Sequence, residues 1–401
     1  MKKAINDLAI FGGSAAFSTV RSTSNLVTPD QEKFLQYAKI THKKRIITDN
    51  GPLVQELEKR LAKLHQTEQC VSFCSGFMAL MLVMHALSEK GKSEVIMPSL
   101  TYRRMADIAA WVGLIPHFCD VDLHTLGMTA DNVRPCINKQ TSIILGVHPI
   151  TNLSDIDGLE RLAAENGIPL LFDSVEAAYA SQNGRMVGSF AKAEVFSLHA
   201  SKLLNGFEGG YVTTNDRGLV EILCRMRNFG FSDNGTITRL GLNAKLNEIH
   251  AAMALTCLDD LDAQINRNRK RHQVYRERLN NATGLDVVPY NQGEKRGYKN
   301  VLVRITEAWP ISREQTLRIL HSENLLARPY YSPALHTKTT AYRTRTSGNL
   351  PNTATLSKNH MLLPCGDFVS LDDVAVISEL LVFLQKNGQQ IRKKLSLEDI
   401  Q

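Results

Sequence analysis

The chain predicts an α/β fold: a mostly parallel sheet of seven strands between helices, followed by a smaller C-terminal α+β region. Three observations predict it. Between about residues 50 and 260, short β-rich runs alternate with helical patterns, the order that makes parallel strands with helices on both faces. Two of the helical patterns, "MADIAAWVG" and "DGLERLAAENG", close on a glycine that can end a helix. Beyond the long helical stretch 241–279 the alternation stops, and "YKNVLVRIT" (298–306), a helix around 313–324, "LARPYYSP" (326–333) and a last helix from about Leu371 follow.

The seven β-like runs are "CVSFC" (70–74), "EVIMP" (94–98), "IPHFCDV" (115–121), "SIILGVH" (142–148), "IPLLFD" (168–173), "EVFSLH" (194–199) and "GGYVTT" (209–214). The helix expected over 76–88 is apolar nearly all round, so it belongs deep in the core rather than at a surface. These elements suggest an N-terminal segment over 1–50, a large α/β domain over 51–262 and a small α+β domain over 263–401. The Ser/Thr-rich stretch 337–355 reads as a mobile loop of the kind that covers a site.

Bulk composition narrows the function. At 401 residues, 43% hydrophobic and 22% charged, the chain can build a large core. Seven cysteines, an odd number lying mostly in apolar runs, indicate a reducing compartment, hence the cytoplasm, and no disulfide framework. No second Cys or His pair follows Cys70 and Cys74 at zinc-type spacing, so no metal is expected. Two lysines precede an apolar stretch at the start, but Asp7 and Gly12-Gly13 cut it short of a signal core, and no run reaches membrane-spanning length. A net charge of +7 is modest for this size and its basic residues are scattered apart from "RNRKRH" (267–272), which argues against a nucleic-acid partner.

Chemistry in open α/β sheets gathers at the carboxyl ends of strands. Asp173 closes "IPLLFD" and Lys202 lies just beyond "EVFSLH", so both fall on one edge of the sheet. Taken singly, Asp173 could be a helix cap and Lys202 a surface residue at a turn. A third element changes the balance: in "FCSGFMAL" (73–80), Ser75 and Gly76 lead from a β-run into a buried helix, whose free N–H groups and dipole suit a phosphate. A lysine for a Schiff base, an acid opposite the pyridine nitrogen and an anion cradle are together what pyridoxal 5′-phosphate requires. Lysine bound as an imine is no longer an unpaired ammonium, which removes most of the cost of burying it.

Several stretches carry a family resemblance over nearly the whole chain: "FGGSAAF", "ITDNGPLVQELEKRLAKL", "SGFMAL", "EVIMPSLTY", "GLIPHFCDVD", "DIDGLERLAAENGIPLLFDSVEAA", "FSLHASKLLNGFEGGYVTTND", "GLNAKLNEIHAAMA" and "YYSPALH". The sequence resembles the DegT/DnrJ/StrS-type sugar aminotransferases, pyridoxal-phosphate enzymes of fold type I. The resemblance makes Lys202 the Schiff-base lysine and Asp173 the partner of the ring nitrogen. It makes Ser197 and the amides of Phe77 and Met78, beside Gly76, phosphate ligands, and it makes Tyr102 the ring that stacks on the cofactor. Asn243 resembles the residue that reaches the phosphate from a neighbouring subunit, implying a homodimer with shared active sites.

Three departures from the family pattern stand out. Phe77 replaces a hydroxyl residue after the phosphate-binding glycine, and Ala244-Lys245 replace an aromatic-Arg pair. Glu176 stands where Gln or His is usual. A carboxylate there should be protonated, or raise the basicity of the imine, unless it simply pairs with a nearby Lys or Arg. Arg103 and Arg104 are candidates for an anionic part of the substrate or equally for plain surface charges, and His148 and His199 for substrate contacts or for hydrogen bonds that support the site. The resemblance implies transfer of an amino group from L-glutamate to a keto-sugar, first a nucleotide-linked keto-deoxysugar of cell-surface polysaccharide or natural-product pathways. An acidic oxo-sugar such as an 8-oxo-octulosonate of lipopolysaccharide is the second acceptor, and a cofactor-binding regulator without turnover is the competing class.

Overall fold

A computed structural model describes residues 2–24, 27–232 and 234–398. All seven β-like runs become strands of one central sheet. Its order is Arg345–Thr346, Ile115–Cys119, Glu94–Pro98, Thr141–Val147, Leu170–Asp173, Ala193–Ser197, Gly210–Thr214, Gln69–Phe73. Neighbours pair in parallel as far as Ala193–Ser197, whereas Gly210–Thr214 is antiparallel to both of its neighbours. Sheet residues alternate between two cores. Ile96, Ile144, Phe172 and Phe196 enter one, while Val95, Ile143, Leu171 and Val195 enter the other, as expected of a sheet covered on both faces. The apolar helix Gly76–Leu87 is buried against the second face, and Ser75 caps it by accepting from the Met78 amide at 3.1 Å.

Two expectations need correction. The stretch 337–355 is not an open mobile loop: Arg345–Thr346 adds an eighth, edge strand beside Ile115–Cys119, and a helix spans Pro351–Asn359. Arg345 reaches Glu94 at 2.8 Å and the Tyr342 hydroxyl donates to Asp107, so polar composition here serves contacts with the sheet edge rather than freedom. The helical stretch expected over 241–279 is helical only from Glu248 onward. It contains Glu248–Asp259 and Leu261–Leu279, broken at Asp260, and the former starts where Asn247 caps it by accepting from the His250 amide at 2.9 Å.

The C-terminal part forms a four-stranded antiparallel sheet in the order Leu285–Val287, Val301–Ile305, His360–Leu363, Arg328–Pro329. Helices Leu261–Leu279 and Leu371–Glu398 share its core through Tyr275, Leu279, Leu380 and Leu384. The N-terminal residues join that core: Leu8 and Phe17 are buried in it, and Arg21–Ser22 pairs in parallel with Leu325–Leu326. Buried Glu323 ties them down, accepting from the amides of Ala9 and Ala16 and pairing with Lys2 at 2.8 Å.

Candidate active site

Strand order explains why Asp173 and Lys202 meet. Leu170–Asp173 and Ala193–Ser197 are adjacent and parallel, with Asp173 opposite Val195, so the residues after both strands leave the sheet at the same edge. Asp173 accepts from the Val175 amide at 3.1 Å, and this short contact starts the turn Val175–Ala177 that carries Glu176. Side chains alternate from there. Ser174 points into the core, where its hydroxyl donates to Glu194, whereas Glu176 points at Lys202.

Lys202 Nζ donates to Glu176 Oε1 at 2.7 Å, while Glu176 Oε2 accepts from Lys299 Nζ at 3.1 Å and from Asn300 Nδ2 at 3.0 Å. Burial alone would raise the Glu176 carboxyl, but the charges of Lys202 and Lys299 and their hydrogen bonds push it far below its ordinary value. Burial likewise opposes the Lys202 ammonium; Glu176 first and Asp173 behind it more than offset this and hold it above its ordinary value. Asp173 has no such clamp. Burial drives its carboxyl up to about 6, against the Val175 amide and the charge of Lys202. A buried acid poised this way has an unmet demand for a cation, which a protonated pyridine would supply.

The cradle is built from close backbone contacts. A Cβ on Gly76 would come within 3.0 Å of the Ser197 Cβ, and one on Gly210 within 2.4 Å of the Gly76 Cα. Glycine at 210 lets the helix start lie against the end of strand Gly210–Thr214, and glycine at 76 keeps it tight on Ser197. The Phe77 amide stands in the first turn of the helix, while the Phe77 side chain packs on the core. The Met78 amide, expected as a ligand, is instead taken by the Ser75 cap. Tyr102 is 48% exposed and close enough for its hydroxyl to act on the Lys202 charge.

The remaining candidates divide. Arg103 and Arg104 are exposed; Arg104 pairs with Asp107 at 2.9 Å, and Lys338 donates to the Arg103 carbonyl at 3.4 Å. His199 is half-exposed, joined to Ser201 at 2.8 Å and lying 3.6 Å from Glu208. His148 corrects the expectation of a substrate contact. It is 1% exposed, stacks on Phe172 with centroids 4.6 Å apart, and lies in the packing beneath Asp173. Asn243 is exposed and bridges Asn228. Lys299 and Asn300 were not singled out from the sequence, because 123 and 124 residues separate them from Glu176.

These features together fit pyridoxal phosphate: a glycine cradle at a helix start, a buried acid without a clamp and a lysine at the same sheet edge. With the mostly parallel sheet they define a fold type I enzyme of the aminotransferase class. The chain belongs to the DegT/DnrJ/EryC1/StrS aminotransferase family, whose model matches residues 29–382. It is similar to a dTDP-4-amino-4,6-dideoxy-D-glucose transaminase of Shigella dysenteriae, 28% identical over 77% of this chain and 83% of that protein. A UDP-N-acetyl-3-dehydro-alpha-D-glucosamine 3-aminotransferase of Acidithiobacillus ferrooxidans is 30% identical over 81% of this chain and 86% of its own. Among solved structures, that of DesI in the presence of its TDP-sugar product has a TM-score of 0.92 at 34% identity, covering 98% of this chain and all of that one. The protein is a sugar aminotransferase.

Proposed function

We propose that the protein moves an amino group from L-glutamate to a nucleotide-linked keto-deoxysugar, in the cytoplasm and as a homodimer with shared active sites. The convergence of Lys202, Asp173 and the Gly76 cradle at one sheet edge carries the reaction type, and the nucleotide sugars in the relatives' names support the acceptor. Pyridoxal phosphate bound here supplies an aldehyde that carries the amine and a ring that takes up the electrons released at the donor's α-carbon. Asp173 would face the ring nitrogen and keep its proton in place. Ser197 and the amides of Gly76 and Phe77 would hold the phosphate, and Tyr102 would cover the ring. Lys202, once neutral, takes the proton from the α-carbon at Nζ and delivers it again when the sugar receives the amine.

The dimer is supported by Asn243, which faces outward, and by exposed apolar side chains in the same stretch, Ile237 at 69% and Leu240 at 75% among them. Arg103, Arg104 and Lys338 form a basic rim beside Tyr102 that suits a diphosphate.

The test is a panel of acceptors: nucleotide-linked 4-keto and 3-keto sugars against a free 8-oxo-octulosonate, each with L-glutamate. Aminated sugar is read by mass spectrometry and 2-oxoglutarate by a coupled assay. Amination of a nucleotide-linked acceptor with stoichiometric 2-oxoglutarate is expected, together with a visible band that borohydride removes. Lys202→Ala should lack the band and lose about 10⁴-fold in turnover. Amination of the free acidic sugar alone would replace the acceptor, and no amination with any of them would overturn the reading.

A further inference from the structure

The Glu176 side chain is only 13% exposed, and a lone carboxylate so far out of water would be costly. The structure shows how the cost is offset. Glu176 is shared by two ammonium groups, one per carboxylate oxygen: Lys202 on Oε1 at 2.7 Å and Lys299 on Oε2 at 3.1 Å. The Asn300 amide adds a second donor to Oε2 at 3.0 Å.

The segment that supplies Lys299 and Asn300 is built to stay in place. Gly297 packs so closely on Leu203, the neighbour of Lys202, that a Cβ would lie 2.9 Å from a Leu203 methyl. The Tyr290 hydroxyl donates to the Asn300 carbonyl at 2.9 Å, and Tyr290 packs on Tyr298 with centroids 4.6 Å apart. Lys299 is itself 8% exposed, with its ammonium directed at Glu176.

Lys202 cannot supply a constant counter-charge. It must lose its ammonium form to join an aldehyde or to take a proton, and at that moment Glu176, were Lys202 its sole partner, would be an anion largely out of water with no cation. We propose that Lys299 is a positioning residue that, with Asn300, keeps Glu176 a carboxylate directed at Lys202 whether or not Lys202 is charged. This rests on the reading of Lys202 as the amine that joins the cofactor. It assigns Lys299 no contact with substrate.

Other ionisable groups face the pair. Asp173 and Tyr102 act on Lys202, Tyr290, Tyr330 and Tyr331 feel the Glu176 charge, and Cys365 lies near Lys299. Burial lowers the Lys299 ammonium from its ordinary value of 10.5, Glu176 opposes this and the charge of Lys202 reinforces it. Each lysine thus makes the other's charge less favourable, and each gains when the other is neutral.

The experiment measures the pH dependence of amine labelling at Lys202 in the full chain stripped of cofactor, with an amine-reactive ester and peptide mass spectrometry. Lys299→Met should move the midpoint up by about one pH unit, slowing labelling about tenfold near pH 9, because Glu176 then serves Lys202 alone. Glu176→Gln should move it down by at least as much, since burial is then unopposed. Lys299→Arg should restore the parent curve. If Lys299→Met folds poorly, the comparison of Lys299→Gln with Lys299→Arg separates charge from packing. In the loaded protein, the pH at which the visible band changes should move in the same directions.

Superimposable curves for the parent, Lys299→Met and Lys299→Gln, with Glu176→Gln shifted, would overturn the proposal. The stripped protein reads the triad without any transfer reaction. A shifted curve in a protein that aminates no sugar would therefore sink the functional reading alone.

Discussion

Two glutamates on neighbouring segments, Glu194 fully buried in its strand and Glu176 half-buried just past the adjacent one, are in opposite states. Glu176 meets two ammonium groups and is driven far below the usual carboxylate range. Glu194 meets neutral donors: the Ser174 hydroxyl, the Gly188 amide at 2.7 Å and the Phe190 amide at 2.8 Å. Burial raises Glu194 to about 7 against those hydrogen bonds. His148 Nε2 lies 3.9 Å from it, too far for a hydrogen bond, and burial holds that ring neutral, its pKa lowered to about 3. Burial alone therefore does not decide the charge of a carboxylate here. Formal charge within reach does, and the chain puts that charge on the side that handles the amine.

The strongest way to break this contrast is to remove Glu194. Glu194→Ala leaves three buried donors without an acceptor and should cost about 3–5 kcal/mol in urea unfolding. It should leave the labelling curve of Lys202 where it was. A shift of that curve would show that the two carboxylates are one network after all.

Next comes Asp173, intermediate between them with a value of about 6. Asp173→Asn should reduce turnover about 10²–10³-fold by removing the charge that holds the ring proton, with folding little changed. Retention of full turnover would remove Asp173 from the machinery.

A smaller effect lies in the pH dependence of stability. Glu194 keeps its proton in the folded protein up to about pH 7, whereas the unfolded chain releases it near 4.5. Over that window the folded state binds more protons, so stability falls as pH rises, by at most about 1.4 kcal/mol per pH unit. Asp173 has the same sign between 3.8 and about 6 in cofactor-free protein. Glu176 has the opposite sign: its contribution is present above 4.5 and is lost as pH falls toward its depressed value. Unfolding midpoints of the parent and Glu194→Gln, taken from pH 5 to 7, should show a shallower decline in the variant; equal slopes would refute a raised Glu194.

The smallest change is expected at His148. His148→Phe keeps the stack on Phe172, loses only the 3.3 Å bond from the Ser154 amide and removes a buried nitrogen without a partner. About 1 kcal/mol in thermal or urea unfolding is expected, and several kcal/mol would mean that the ring serves Glu194.

Much of this was legible in the sequence because the signals are local. Each of the seven β-runs is bounded by its own turn residues, and Asp173 ends its strand while Lys202 lies in the turn that follows Ala193–Ser197, so reading the strands located them. The sheet's eighth strand escaped notice since two residues, Arg345 and Thr346, carry no periodicity. Lys299 and Asn300 were hidden for a different reason. Their segment reads as the approach to the strand Val301–Ile305, and nothing near it indicates that it packs on Leu203. His148 shows the converse: a histidine after a strand looks available to a ligand, and only the packing of Phe172 and Glu194 closes it off.

The two-residue strand Arg345–Thr346 has a further consequence. An uncovered strand margin offers free N–H and C=O groups to any passing chain, and Ile115–Cys119 would present one without this cover. Its protection comes from residues more than two hundred positions later in the sequence, so newly made protein must pass through a stage in which that margin is sticky. Crowded expression, or a protease nick in the stretch before Arg345, should therefore show itself first as clumping rather than as lost chemistry.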